Sequence, residues 1–215
     1  MYNYTHEEWL VTLKTPEFER LIFPFTFGKL VIEDAQKKVP MTQERVDGII
    51  GTTKRVPLFR RASFDKLEYI FFPVHANLHY RVYAADIRSK KTFLLDNQKP
   101  SPTTAKIDHG PMGIKIFECG AAFLTKHNID APLHTWEFVI ADVPQQDGNN
   151  DYGVFACMFM EHWAGHIPSE YKQTWHKQEH VEHQRASIAA NLLLWQYNLQ
   201  RNVTLEEANE WATHK

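Results

Sequence analysis

The chain has 215 residues, a length that suits one domain, and 43% of them are hydrophobic, which is enough for a substantial core. The formal net charge of −2, with histidines neutral, argues against a nucleic-acid partner. No apolar run has the length of a membrane span and no basic-then-apolar leader opens the chain, so we expect no membrane partner. The two cysteines, Cys119 and Cys157, are too few for a disulfide framework and favour the nucleus or the cytoplasm.

Residues 1–62 are predicted to form an N-terminal segment of helices and loops. Residues 6–22 carry apolar side chains at helical spacing, which predicts a short helix. Thr42 is suited to cap a second helix. The basic run at residues 54–61 is typical of a solvated loop, with a nuclear-import signal as the alternative.

From residue 68 the apolar pattern changes to a period of two, which predicts strands. The predicted strands are Tyr69–Pro73, His79–Asp86, Lys91–Asp96 and Glu137–Asp142, with the second and third paired as a hairpin. A helix is predicted between the third and fourth strands, at Ile114–His127.

Asp151 is predicted to cap, through its side chain, an apolar helix that runs to about Ala164. Residues 179–213 are predicted to hold the C-terminal helices, the longest at Glu182–Leu199. The sum is a single α+β domain over residues 1–215, in which a central helix packs on a mixed β-sheet with flanking helices outside it.

Three polar residues point to the chemistry of a thiol protease. His79 opens one strand and Asp96 ends the next, so a hairpin brings them together, and a carboxylate there would fix the imidazole tautomer. Gln146 lies in the loop before the apolar helix, whose N-terminus has free amide hydrogens and would lower the pKa of a thiol. The residue at the start of that helix, however, is Tyr152.

The elements Pro144-Gln-Gln and Asp151-Xaa-Gly, together with His79 and Asp96, resemble the ubiquitin-like-protein-specific (SUMO-type) cysteine proteases, which are related to the adenovirus-type endopeptidases. The resemblance covers residues 68–165 and implies the papain-like, adenain-type cysteine protease fold. It further implies particular roles: His79 as base, Asp96 as its orienter, Gln146 as oxyanion donor, Tyr152 at the nucleophile position, and Tyr80, Gln145 and Gly153 in substrate binding.

Three departures from the family pattern matter. Tyr152 stands where the family has cysteine, and Tyr80 stands where it has a tryptophan that closes a tunnel over the modifier tail. The N-terminal region has no segment that matches the family's other tail-gripping aromatic, for which Trp9 is the candidate. A phenol oxygen would overshoot the oxyanion site, since it lies several ångströms farther from the backbone than a sulfur. Cys157 is five residues further along the helix and is expected to face the core.

The leading hypothesis is therefore a pseudoprotease that binds a SUMO-type modifier or a SUMO-conjugated protein without cutting it. One alternative is an active deconjugating protease whose nucleophile is changed in this chain. Another is a protein-interaction scaffold that kept the fold and lost the tail channel. None of these needs a cofactor.

Histidines are plentiful near the C-terminus, at His162, His166, His176, His180 and His183. Helical spacing can place such side chains on one face for a zinc ion. No cysteine accompanies them and the nearby glutamates read as solvated helix residues, so an exposed helix face is expected and a metal is not.

Overall fold

The computed structural model describes residues 20–36, 43–53, 66–76, 79–98, 109–146, 151–167, 178–194 and 206. The strands in these ranges are β1 (Arg20–Ile22), β2 (Tyr69–Ala76), β3 (His79–Asp86), β4 (Lys91–Leu95) and β5 (Glu137–Ile140). The helices are α1 (Phe25–Gln36), α2 (Gln43–Thr53), α3 (His109–Thr125), α4 (Tyr152–His162) and α5 (Gln178–Leu194), with a 3₁₀ turn at Leu133–Thr135.

The strands form one five-stranded sheet in the order β1-β2-β3-β4-β5. The central pairs β2–β3 and β3–β4 are antiparallel, whereas the outer pairs β1–β2 and β4–β5 are parallel. The sheet is therefore mixed, as the sequence predicts. The hairpin predicted for the strands at residues 79–86 and 91–96 is confirmed as β3 and β4, with Val82 opposite Leu95.

Side chains on the two faces of the sheet enter two separate cores, because neighbouring residues of a strand point to opposite faces. On β2, Ile70 and Phe72 belong to the cluster that α1, α2 and α3 cover, while Phe71 belongs to the cluster that α4 covers. Burial on both faces explains why β2 reads as a continuous apolar run. The apolar helix α4 is thus packed on the sheet, as expected.

The close approach of α1 to β2 requires a glycine. A Cβ atom on Gly28 would lie 2.7 Å from the carbonyl oxygen of Pro73 and 2.9 Å from a methyl group of Val74. Since the nearer of these atoms is backbone, a side chain at this position would push the helix away from the sheet. This contact seats the N-terminal helices on their face of the sheet.

The N-terminal prediction is wrong at its end, because Arg20–Ile22 form strand β1 and not the last turn of a helix. Leu21 and Ile22 are each 1% exposed and enter different cores, so alternation overrides the helical spacing. The rest of that predicted helix lies outside the described residues. So do Thr42, Trp9, and the basic run at residues 54–61.

The later elements follow the sequence prediction closely. β3 has the predicted bounds, whereas β2 extends beyond Pro73 to Ala76 and α3 begins before Ile114, at His109. α5 begins earlier than predicted, at Gln178, and residues 195–205 and 207–215 are outside the described part of the chain. No helix in the described ranges combines the length and apolarity needed to cross a bilayer.

Candidate active site

Asp96 is the centre of a buried polar cluster at the end of the β3–β4 hairpin. Its Oδ1 atom lies 2.6 Å from Nε2 of His79, and its Oδ2 atom accepts a hydrogen bond of 2.8 Å from Nε of Arg81. The backbone amide of Gln98 also donates to Oδ1, at 3.0 Å. The predicted pairing of His79 with Asp96 is therefore present in the structure.

The geometry of the hairpin explains this cluster. His79 and Arg81 are two residues apart on β3, so their side chains leave the strand on the same side. The register that pairs Val82 with Leu95, continued by one residue, places Arg81 opposite Asp96. One carboxylate can thus contact both side chains.

Asp96 is held ionised by this environment. Burial acts to raise the pKa of Asp96, but the hydrogen bonds from His79 and Gln98 and the charges of His79 and Arg81 outweigh it, so the pKa lies below its ordinary range. The carboxylate is therefore available to orient the imidazole of His79 at neutral pH.

The second ring nitrogen of His79 faces away from this carboxylate. Nδ1 is buried and has no hydrogen-bond partner among the described residues. Since Nε2 is used by Asp96, Nδ1 is the atom that would exchange a proton with a reacting group. The imidazole is therefore oriented as a general base would be.

Tyr152 is the first residue of α4 and lies directly beside this imidazole. The ring centroids of His79 and Tyr152 are 4.5 Å apart with an interplanar angle of 89°, an edge-to-face contact. The aromatic ring, and with it the side chain's bulk, occupies the space next to the base. The two residues that the sequence predicts as base and nucleophile position are thus brought together.

Gln146 is fixed by Asn97, the residue after Asp96. The side-chain Nδ2 of Asn97 donates to Oε1 of Gln146 at 3.0 Å, and the backbone amide of Gln146 donates to the carbonyl oxygen of Asn97 at 2.9 Å. Asn97 is 1% exposed, so these hydrogen bonds are shielded from solvent. Because Oε1 is used, the Nε2 group of Gln146 is the donor left for an oxyanion or carbonyl.

Gln145, which the family resemblance assigns to substrate binding, connects the loop before α4 to the end of β4 by hydrogen bonds. Its Nε2 atom donates to the carbonyl oxygens of Asp96 at 3.0 Å and of Val143 at 2.9 Å. Its amide nitrogen is thus used within the fold, and a contact with substrate stays a prediction. At Gly153 a Cβ atom would meet nothing within 4 Å, so the space above the first turn of α4 is open to a bound chain.

Tyr80 belongs to a small aromatic cluster with His75 and Phe25. Its ring centroid lies 4.4 Å from that of His75 and 5.4 Å from that of Phe25, the latter in an edge-to-face arrangement. Phe25 is the first residue of α1. Tyr80 therefore links α1 to β2 through aromatic contacts, although the tryptophan expected at position 80 is absent.

The predicted side-chain cap of α4 is wrong. The Asp151 side chain makes no capping hydrogen bond, although its backbone carbonyl accepts from the amide of Phe155 at 3.1 Å. The Asp151 carboxylate, on a residue only 5% exposed, forms an ion pair with Arg185 of α5 instead. The guanidinium of Arg185 supplies the full counter-charge that a buried carboxylate needs.

Cys157 is not placed to replace a nucleophile at position 152. Burial, with a smaller effect from Glu161, raises the pKa of the Cys157 thiol to about 11, so it is protonated at neutral pH. Cys119 is 0% exposed and lies in the other core, under α3. Neither cysteine forms a disulfide, and Cys157, which the sequence predicts to face the core, is half-buried and belongs to neither core cluster.

The C-terminal histidines do not form a metal centre in the described part of the chain. No group of three or more histidine, cysteine or acidic side chains lies together there in a way that could hold an ion, and His176 is outside it. Burial, assisted by Arg20 and His180 and opposed by Glu161, lowers the pKa of His162.

Sequence reasoning missed Arg81 and Asn97, which support Asp96 and Gln146, and Arg185, which neutralises Asp151. A signal for Arg81 was available, since a charged residue two positions after His79 on a buried strand needs a counter-ion. Nothing in the local pattern around residue 185 indicates Asp151 as its partner.

The fold and the site together define a cysteine-protease scaffold in which a helix begins beside an oriented histidine. A family model described as the Ulp1 protease family, C-terminal catalytic domain, matches residues 24–193. Because this match covers more than half of the chain, the chain belongs to the Ulp1 protease family.

Two curated relatives have the same name, Sentrin-specific protease 2. The protein from Pongo abelii is 28% identical over 129 residues, and the protein from Mus musculus is 26% identical over 129 residues. In both cases the match covers 56% of this chain and 19% of the relative. The chain thus spans a small part of the curated relatives that it matches.

Solved structures show the same fold. The SUMO protease Ulp1 with its catalytic cysteine oxidised to a sulfinic acid superimposes with a TM-score of 0.61 at 18% identity, over 87% of this chain and 73% of that one. A de-sumoylating protease gives 0.55 at 11% identity over 97% and 82%. The Ulp1 protease domain in complex with SMT3, the yeast ortholog of SUMO, gives 0.52 at 18% over 75% and 63%.

Proposed function

We propose that this domain is a pseudoprotease, which binds a SUMO-type modifier or a SUMO-conjugated protein and leaves its bonds intact. The observation that carries the proposal is the edge-to-face contact of Tyr152 with His79, at 4.5 Å between ring centroids. The compartment proposed for this activity is the nucleus, the cytoplasm or both.

The contact supports the proposal, because the Tyr152 ring fills space beside His79 that a small nucleophile would need. A phenol has a reference pKa near ~10, against ~8.5 for a thiol, so it is a poorer source of an anion at neutral pH. Its oxygen also lies beyond the ring, several ångströms from the backbone, and nucleophilic attack tolerates little misplacement. Both effects act against catalysis by Tyr152.

No other thiol supplies the missing group. The sequence has two cysteines, of which Cys119 is fully buried and Cys157 has a pKa of about 11. A thiol with such a pKa is almost entirely protonated at pH 7, and it is the thiolate that attacks.

Three features of the site support the binding of a polypeptide tail. The Nε2 group of Gln146 is left for a carbonyl oxygen, the space above Gly153 is open, and Tyr80 and Phe25 are in aromatic contact. Such a site is suited to binding without cleavage, because the Gln146 donor is free for substrate while the Tyr152 ring occupies the nucleophile position.

Binding is tested by titrating isotope-labelled SUMO-type modifiers and ubiquitin with the purified chain, beside Tyr152→Ala. We expect a SUMO-type modifier to show saturable shifts in its C-terminal tail. Tyr152→Ala removes the ring without adding a nucleophile, so it should bind at least as tightly. Absence of binding to every modifier, or shifts confined to surfaces away from the tail, would favour the scaffold alternative instead.

Catalysis is tested with a modifier bearing a C-terminal reporter and with a modifier whose tail ends in an electrophile. The wild-type chain should neither cleave the first nor become covalently attached to the second, and Tyr152→Ala should behave in the same way. Cleavage or capture by the wild-type chain, through any side chain, would refute the pseudoprotease.

A further inference from the structure

The side-chain amide of Gln146 has two ends of opposite hydrogen-bonding character. Its Nε2 group only donates and its Oε1 atom only accepts, although the two ends have nearly the same shape. A carbonyl oxygen of a bound polypeptide tail needs a donor. Which end of the amide faces the site therefore decides whether Gln146 attracts such an oxygen or repels it.

Asn97 contacts Gln146 twice, once through its backbone and once through its side chain. Its carbonyl oxygen accepts from the backbone amide of Gln146 at 2.9 Å, and its Nδ2 group donates to Oε1 at 3.0 Å. If the Gln146 amide turned round, two NH2 groups would meet at that distance and both would lose their partner. Because Asn97 is almost fully buried, water is not there to replace the lost acceptor. Asn97 therefore holds the amide in one of its two orientations.

The position of Asn97 is fixed by the turn that follows β4. The backbone amide of Gln98 donates to Oδ1 of Asp96 at 3.0 Å, which closes a turn around Asn97. The Nε2 group of Gln145 donates to the carbonyl oxygen of Asp96, also at 3.0 Å. Through Asn97, the turn that carries the Asp96 carboxylate thus also sets the orientation of Gln146.

We propose that Asn97 is a positioning residue for tail binding, which keeps Nε2 of Gln146 directed at a carbonyl oxygen of a bound modifier tail. This role in binding rests on the proposed function, whereas the orientation itself is a property of the free chain. Replacing the Nδ2 donor of Asn97 by an acceptor should turn the Gln146 amide round. The tail would then meet Oε1, an acceptor, where it needs a donor.

The orientation is measured on the free chain by nuclear magnetic resonance with ¹⁵N-labelled asparagine and glutamine. Hydrogen exchange of the Asn97 side-chain amide is followed beside that of the exposed Asn128, and Asn97→Ala assigns the signals. One Nδ2 proton of Asn97 should exchange at least about tenfold more slowly than those of Asn128, because a buried hydrogen bond must open first. Gln146→Glu keeps an oxygen acceptor and should keep this protection, whereas Gln146→Met, of similar length, should lose it.

The role in binding is measured as the Kd of a SUMO-type modifier for Asn97→Asp, with and without Gln146→Met. In the otherwise wild-type chain, the introduced carboxylate should accept from Nε2 of Gln146 and weaken binding by roughly tenfold, the effect of one lost hydrogen bond. In the Gln146→Met chain the same substitution should change Kd by less than about twofold, because Asn97 has no amide left to orient. Thermal melting establishes that each variant is folded.

Two results would overturn the inference. The first is rapid exchange of both Nδ2 protons of Asn97 in the wild-type chain, which needs no variant and is decisive even if Asn97→Asp fails to fold. The second is the same change of Kd on Asn97→Asp with and without Gln146→Met, since a general disturbance of the fold would act equally in both chains. If the wild-type chain binds no modifier, the proposed function fails, and the exchange measurement still decides whether Asn97 orients Gln146.

Discussion

The buried cluster around Asp96 should stabilise the domain whether or not it takes part in catalysis. The substitution Asp96→Asn keeps the shape of the side chain and removes its charge. Arg81, with a side chain 7% exposed, would then lose the carboxylate that it contacts at 2.8 Å. Breaking a buried ion pair from one side costs roughly 3–5 kcal/mol, because the remaining charge is left uncompensated.

That loss should be visible as a lower melting temperature. For a domain of this size each kcal/mol corresponds to about 2–4 °C, so Asp96→Asn should melt roughly 6–20 °C below the wild type by calorimetry at pH 7. Asp130→Asn is the matched control, since Asp130 is exposed and the same chemical change there should alter stability by no more than about 0.5 kcal/mol. If the two variants melt together, the ion-pair reasoning for the site is refuted.

Three further outcomes are expected. The stability difference between the wild type and Asp96→Asn should be complete above about pH 4 and should vanish as the pH falls through the folded pKa of Asp96, because that pKa lies below the reference value of ~3.9. Denaturant titrations from pH 2 to 7 measure this difference in the free energy of unfolding. A pH-independent difference would contradict the expectation. Tyr83→Phe should raise the free energy of unfolding by about 1 kcal/mol in urea, since the Tyr83 hydroxyl is buried without a hydrogen-bond partner among the described residues; a loss of stability would count against this. Gly28→Ala should lower it by about 1–3 kcal/mol, because the new methyl group would lie 2.7 Å from the Pro73 carbonyl oxygen. Gly48→Ala, in open helix surface, should instead raise it by about 0.5–1 kcal/mol, and equal effects at both glycines would exclude steric contact as the cause.

The sequence predicts much of the central sheet because its signals are local. The period-two pattern of β3 and β4 fixes which residues share a face, and the short turn between them fixes the register, so His79 and Asp96 meet as expected. The start of α4 is equally local, since an apolar run begins there, although the Asp151 side-chain cap that the same pattern predicts is not formed.

The parts that the sequence does not predict depend on contacts far apart in the chain. Strand β1 is short, and only its pairing with β2 distinguishes it from the end of a helix. Arg185 meets Asp151 across a long separation, and no periodicity encodes that contact. Arg81 is a different case. The sequence shows a charged residue on a buried strand, but it does not show that one carboxylate, Asp96, contacts both His79 and Arg81.

The ion pair between Arg185 and Asp151 links distant parts of the polypeptide. The carboxylate immediately before Tyr152 receives its counter-charge from α5, which begins well after α4 has ended. A version of the chain truncated between α4 and α5 would leave the buried Asp151 carboxylate without a counter-charge, directly before Tyr152. Truncated versions of this domain should therefore keep α5, because Arg185 on that helix supplies the counter-charge of Asp151.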